Sequence, residues 1–489
     1  MKPRSIAYSF AILVTLPSLC MAAGNVFLAT APDGSIFARD VSGVVLWHSF
    51  NGSSAAAPRT ATEARATPSS PTTPMWDPLT NLDPSATADP IAGPIFDSLG
   101  NAWVVIDDRV NLLAIRSNGT SGTWQAPHII GPSLPASTET VGLAVDQAGG
   151  FYVTYGTGAA GDSSFPLLWT KYTPALGWQA PAVIYTSPSG FSETFAEIDS
   201  AGRLVVLFNA NGISSIASNP SQSGWGPVQT ISPATDNPIL PSVAANKSGT
   251  RLALVYLLQN NVLQRGLRYT FFNSTTGNWN GARPVPNSGN AYFSGYSTLN
   301  AYPMAVDESG NITLATPLFV GFSNNGIARP TRQWSVGGFR YENGVWSMQQ
   351  LTAPLGSIPD LESFGSTALN ANGAVLISAP LSDGSTGTNI TVFRFTPGAG
   401  WNTEIAASYS TSTVSRCKVA WFEGTEAVVV YNAAGPLLAA LYANGAWGSA
   451  PPIPGSFTNV TFPALAGAPT GEALLGVPEN GVYVTYLRP

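Results

Sequence analysis

A unit of about 50 residues recurs eight times between Gly93 and Pro489, and this repeat constrains the fold more tightly than any other property of the chain. Each copy opens with a short apolar strand and a turn written Asp/Asn-x-x-Gly, starting at Asp97, Asp146, Asp199, Asn246, Asp307 and Asn370. An Asp or Asn at the first position can accept backbone amides two residues on, and Gly at the fourth tolerates positive φ, so each turn predicts a hairpin. Two further copies are degenerate, around Gly424 and Gly471. The segments after the turns read AWVVI (102–106), FYVTY (151–155), LVVLF (204–208), LALVY (252–256) and AVVVY (427–431). Such continuous apolar, β-branched runs suit strands buried on both faces.

Third strands such as NLLAIRS (111–117) and LLWTKYT (167–173) alternate partially, as strands with one wetter face do. Seven units then reach a tryptophan: Trp124, Trp178, Trp225, Trp279, Trp346, Trp401 and Trp447. A large ring recurring at one place in a repeat predicts a packing anchor between neighbouring units. A repeat of this length built only of strands and tight turns predicts an all-β chain folded as a β-propeller of four-stranded blades. Eight is the best count, with seven and nine as alternatives.

The eighth unit ends after its third strand, at Pro489, so a strand from the N-terminal region is expected to complete that blade and remove an open sheet edge. The expected donor lies in residues 24–50, where residues 25–47 read NVFLATAPDGSIFARDVSGVVLW. With Ala38, Asp40, Gly43 and Trp47, this segment resembles a single pyrroloquinoline-quinone-type propeller repeat, although the motif is two residues short and carries no cofactor residues. Residues 51–90, rich in Pro, Ala, Ser and Thr, are expected to be a linker, and the propeller to occupy 91–489. Residues 1–23 have the pattern of a signal peptide: Lys2 and Arg4, an apolar run from Ile6 to Leu19, then Ala22 and Ala23. Leu19 stands where a lipoprotein motif around Cys20 would want a small residue, so lipidation is not expected. The mature chain is read as secreted or periplasmic, monomeric, and without a segment long enough to span a membrane.

The chain carries a formal charge of −6 and has lysine only at Lys2, Lys171, Lys247 and Lys418, which leaves no basic patch for a nucleic-acid backbone. Only 10% of residues are charged, well below the usual share, and the Ser-, Thr-, Asn- and Gly-rich surface is compatible with sugars or proteins. With two histidines, His48 and His128, neither a histidine metal site nor a Ser-His-Asp triad is easily assembled, and no cofactor or metal is expected. Gly156-Thr157-Gly158-Ala159-Ala160-Gly161 matches a dinucleotide fingerprint in letters, but a strand follows it, leaving no helix N-terminus for a pyrophosphate. Cys417, the one cysteine left after cleavage, is expected to be a buried, inert thiol.

The turn within the first hairpin and the turn before each tryptophan stay short, whereas the connections after the second and fourth strands vary. In a four-stranded blade those variable connections emerge on one face, which is the predicted binding surface. It carries Asp107, Asp108 and Arg109 after the second strand of blade 1; Glu193 and Glu197 before blade 3; and Asp236 before blade 4. Tyr292 and Tyr296 precede blade 5, Arg329, Arg332 and Trp334 lie in its long insertion, and Asp360 and Glu362 precede blade 6. Aromatic rings beside carboxylates and amides suit glycan recognition, and equally a protein interface. Two functions follow: a non-enzymatic binder or scaffold for a glycan or protein, or a hydrolase or lyase using loop carboxylates such as Asp107, Glu193, Asp236, Asp360 or Glu362. The second requires two carboxyls within about 10 Å, one with its pKa raised by burial. The composite of Asp-x-x-Gly turns and Gly-Trp-x-x-Pro strands, best seen at Asp97, Gly177 and Gly224, is similar to repeats of exported, uncharacterised bacterial propeller proteins. That resemblance implies a secreted propeller and brings no catalytic residues.

Overall fold

The computed structural model describes residues 27–30, 36–39 and 45–49, and residues 74–488 apart from 84–91, 120–121, 135–140, 159–161, 192, 211, 237, 259–265, 290, 292–301, 324–330, 356–365, 383–386, 411–413, 423–425, 434–435, 458–459, 461–462, 469–470 and 480. The chain divides into two units, Met1–Pro71 and Thr72–Pro489. Among its described residues, the first forms one antiparallel sheet of Phe27–Thr30, Ile36–Arg39 and Val45–Ser49.

The second unit is an eight-bladed β-propeller of antiparallel four-stranded blades. Blade 1 consists of Ala92–Phe96, Ala102–Asp107, Asn111–Arg116 and His128–Pro132. The first strands of blades 2 to 8 are Gly142–Val145, Glu193–Ile198, Pro238–Ala245, Met304–Val306, Ser366–Leu369, Val414–Phe422 and Ala464–Gly467. The predicted turns close as their chemistry requires. Asp97 Oδ1 accepts the amides of Leu99 and Asn101, each at 2.9 Å, while its Oδ2 accepts Trp103 Nε1 at 3.1 Å. Asp146 repeats the pattern with Ala148 and Gly150, at 2.8 and 2.7 Å. The second strands Ala102–Asp107, Phe151–Gly156, Leu252–Leu258 and Ala473–Pro478 are buried at every residue, so the core lies between blades. At one such seam, Val205 and Leu207 of blade 3 pack on Leu254, Tyr256 and Trp279 of blade 4.

Each repeated tryptophan reaches back onto the preceding blade. Trp178 stacks on His128 and meets Trp103 edge-on, with centroids 5.1 and 5.8 Å away; Trp225 meets Trp169 at 5.4 Å, and Trp346 meets Tyr269 at 5.2 Å. Trp401 lies so close to blade 5 that a Cβ at Gly338 would stand 2.7 Å from its ring, which explains glycine there. Trp124 of blade 1 packs among Leu474, Val484 and Tyr486 of blade 8, so the series runs unbroken around the ring.

Closure corrects the sequence expectation. The missing strand of blade 8 is Met75–Trp76 with Thr80–Asp83, from within the stretch read as linker, not from residues 24–50. Trp76 takes the eighth place in the tryptophan series: it is buried, and its Nε1 donates to Pro451 O of blade 7 at 3.2 Å. Asp77 fastens the join. Its amide donates to Tyr486 O at 2.8 Å, its carbonyl accepts Thr485 Oγ1 at 2.7 Å, and its carboxylate accepts Arg488 Nε at 2.7 Å. The physical reason is reach: the donor emerges directly before blade 1, so a short connection serves both neighbours. Cys417 is fully buried in the first strand of blade 7, and burial pushes its thiol up to about 12, as expected for an inert group. No helix among the described residues is long and apolar enough to cross a membrane. The leader, with Cys20, lies outside the described residues.

Candidate functional site: the variable-loop face

Among the described strands, the longest pair reaching this face belongs to blade 5. Its second and third strands, Ile312–Ser323 and Thr331–Glu342, run 12 residues each, against 6 in Ala102–Asp107 or Leu204–Asn209. Six further residues at about 3.3 Å each would lift the hairpin about 20 Å beyond a standard blade. A bulge between Phe319 and Gly321 leaves Val320 exposed. The root of the hairpin is braced on both sides: Ala291 bridges to Leu318, and Leu355 bridges to Trp334 through two backbone bonds of 2.9 and 2.6 Å. Ser335 Oγ donates to Thr352 O at 3.0 Å.

This geometry separates two residues the sequence had grouped. Trp334 is 3% exposed and lies edge-on to Phe319, so it anchors the root of the hairpin and is no open platform. Arg332, two residues nearer the tip, is exposed. Tyr292, Tyr296, Arg329, Asp360 and Glu362 lie outside the described residues.

The described carboxylates are largely engaged by the fold. Asp107 is buried; its Oδ1 accepts the Arg109 amide at 2.8 Å and its Oδ2 the Leu134 amide at 2.7 Å, tying two loops of blade 1 together. Asp108 Oδ1 accepts the amides of Val110 and Asn111. Burial works in the opposite direction, yet the Asn111 and Val110 amides hold the Asp108 carboxyl below its ordinary value. Arg109 occupies a left-handed position at φ 67°, the corner of this turn. Glu193 lies not in a loop but in the first strand of blade 3, buried and paired with Asn209.

Asp236 ends a single 3₁₀ turn, Ala234–Asp236, before blade 4. There the structure gathers a cluster invisible in sequence. Asp236 Oδ2 accepts Ser232 Oγ at 3.4 Å, and the buried Tyr256 pairs across the sheet with Arg268. Burial raises the Tyr256 phenol; Ser232 and Arg268 pull it down, and the Asp236 charge pushes it up. Glu197, which the sequence grouped with the loop before blade 3, lies inside that blade's first strand, Glu193–Ile198. In blades 2, 4, 5 and 6 the residue two before the turn is alanine, at Ala144, Ala244, Ala305 and Ala368; blade 3 has Glu197. Burial pushes this carboxyl up to about 8, with the Ala245 backbone as the group opposing it.

Glu197 and Glu193 stand four residues apart on one strand, so their Cα atoms are about 13 Å apart. Among the described residues no group of three or more His, Cys, Asp or Glu side chains is placed to hold a metal.

No protein-family model matches the chain, and no curated protein matches it in sequence. Solved structures resemble it in fold: the Dos1 propeller, at 8% identity and TM-score 0.49, covers 85% of this chain and 95% of its own. An ulvan lyase of a polysaccharide lyase family, at 10% identity and TM-score 0.45, covers 73% and 93%. The dihydro-heme d1 dehydrogenase NirN, at 12% identity and TM-score 0.44, covers 91% and 77%. Likenesses this distant say nothing about function.

Proposed function

We propose that the protein is a non-enzymatic binding propeller, exported by its leader, that recognises a glycan or a protein through its variable-loop face. The observation that carries this reading is the braced blade 5 hairpin. A hairpin braced at its root and extended above one sector of the ring, with Arg332 exposed on it, adds contact area without disturbing the ring. The rival hydrolase or lyase finds less support. Asp107 and Asp108 are bound to backbone amides, and Glu197, the one described acid driven strongly toward its neutral form, has Glu193 too far along its strand for glycoside chemistry.

The test is a variant in which the hairpin beyond Phe319 and Trp334 is replaced by a two-residue turn. Intact and trimmed proteins are compared on a glycan array and in crosslinking to surface proteins of the native host. Ligands held by the intact protein and lost on trimming support the proposal. Hydrolysis or β-elimination of any arrayed polysaccharide would overturn it, as would unchanged binding after trimming.

A further inference from the structure

Away from the variable-loop face, the outer rim holds a cleft at the seam of blades 4 and 5. It forms because the outer strand of blade 4 is interrupted: Asn278–Trp279 and Arg283–Pro284 pair separately with the third strand, Gly266–Asn273, and Asn280 and Gly281 lie between them. The floor is aromatic. Tyr269, Phe271 and Tyr341 form a cluster with centroids 5.3 to 5.7 Å apart, and Tyr341 comes from the neighbouring blade. Around this floor stand the exposed side chains of Asn280 and Arg283. Arg251 lies 4.5 Å over Phe271 and adds a second positive charge at the edge.

The charge pattern is distinctive in a chain of net charge −6. No carboxylate lines the cleft, and Arg283 makes no ion pair among the described residues. The adjacent Glu342 is engaged by Arg340 at 3.2 Å. The volume is about 120 Å3, well under the roughly 300 Å3 that encloses a drug-sized ligand. Such a cleft seats one ring and leaves the rest of a ligand in solvent.

We infer that the cleft formed by Tyr269, Phe271, Tyr341, Asn280 and Arg283 binds one acidic sugar ring of a polysaccharide. The apolar face of a pyranose packs on the Tyr341 side of the floor, the Asn280 amide meets ring hydroxyls, and Arg283 receives the carboxylate through paired N–H donors. Neutral sugars would leave the guanidinium unmatched. The site is separate from the variable-loop face, so it stands or falls independently of the hairpin.

The experiment is calorimetric titration of the full mature chain with a galacturonic acid oligosaccharide and with its methyl ester, which keeps the ring and removes the charge. The acid is expected to bind about tenfold or more tightly than the ester. Arg283→Gln should remove that preference, and Asn280→Ala should weaken both ligands. Both residues are exposed, so folding is preserved and is checked by melting temperature. The hairpin-trimmed protein should bind as the intact one does. Equal affinity for acid and ester, an unchanged Arg283→Gln variant, absence of saturable binding, or inorganic sulfate competing as well as the oligosaccharide would each overturn the inference.

Discussion

Replacing Glu197 by glutamine isolates the cost of one carboxyl placed where other blades carry alanine. In the folded protein burial moves its pKa from 4.5 to about 8, whereas in the unfolded chain it titrates normally. Between those values the folded state holds more protons than the unfolded one, so stability falls as pH rises. The penalty is absent below the unfolded value, grows by about 1.4 kcal/mol per pH unit, and levels off above the folded value. Taken without screening, the shift corresponds to about 5 kcal/mol above pH 8 and about 3 kcal/mol at pH 7. Glu197 keeps part of its surface exposed, and water reaching it reduces these figures, so about 2 kcal/mol is expected at pH 8 to 9.

Glutamine matches the shape of the protonated acid and cannot ionise. The Glu197→Gln protein should therefore match the wild type near pH 4.5 and exceed its stability by about 2 kcal/mol at pH 8 to 9. Urea midpoints across that range at constant ionic strength measure the difference. Infrared spectra provide a direct check: a protonated-carboxyl band should persist at neutral pH in the wild type, fade above pH 8 and be missing from the variant. A difference between the proteins that stays constant with pH, or a variant less stable at pH 8, would refute the argument.

A chain beginning at Thr72 should fold as well as the full protein, whereas one beginning at residue 85 should melt far lower and bind hydrophobic dyes, because blade 8 loses its fourth strand. Trp76→Ala alone should cost about 3 to 5 kcal/mol in denaturant unfolding. A double-mutant cycle between Trp447→Phe and Glu404→Gln should show coupling of about 1 kcal/mol or more, since Trp447 Nε1 donates to Glu404 Oε2 at 2.7 Å; zero coupling would remove that bond from the account. Arg340→Met strands the buried Asp307 that Arg340 holds at 2.7 Å and should cost about 3 kcal/mol or more at pH 7. Burial pushes the Asp307 carboxyl up, but Asn311 and Arg340 bring it below its ordinary value. Its contribution is thus complete above about pH 4 and lost as acid protonates it, so wild type and variant should converge in stability at pH 2 to 3.

The repeat was legible because its turns and seams use local chemistry. Asp97 binds amides two and four residues on, and seven tryptophans sit next to the strands they terminate. Closure was not legible. Trp76-Asp77-Pro78 carries the same tryptophan signal, but its strand is two residues long, it sits in a Pro- and Thr-rich stretch, and its partner Arg488 is 411 positions away. Site residues misled for a related reason. Nothing local in the sequence shows that Asp107 accepts the Leu134 amide 27 residues on, or that the connection at Leu355 covers Trp334. The rim cleft takes Arg283 from one blade and Tyr341 from the next, and no periodicity reports on residues brought together that way.

Three departures from the repeat fall in neighbouring blades. Glu197 interrupts the alanine position in blade 3, the Ser232, Asp236 and Tyr256 cluster joins blades 3 and 4, and blade 5 raises its long hairpin. A closed ring of similar blades needs none of these for closure, since each seam is already filled by its own tryptophan and apolar strands. Features that the architecture does not require thus fall in three adjacent blades, which is where the binding proposed above is to be tested first. Substitutions on the exposed upper part of the blade 5 hairpin, such as at Arg332, should therefore alter ligand binding and leave stability unchanged, whereas substitutions at buried seam residues should alter stability in any blade.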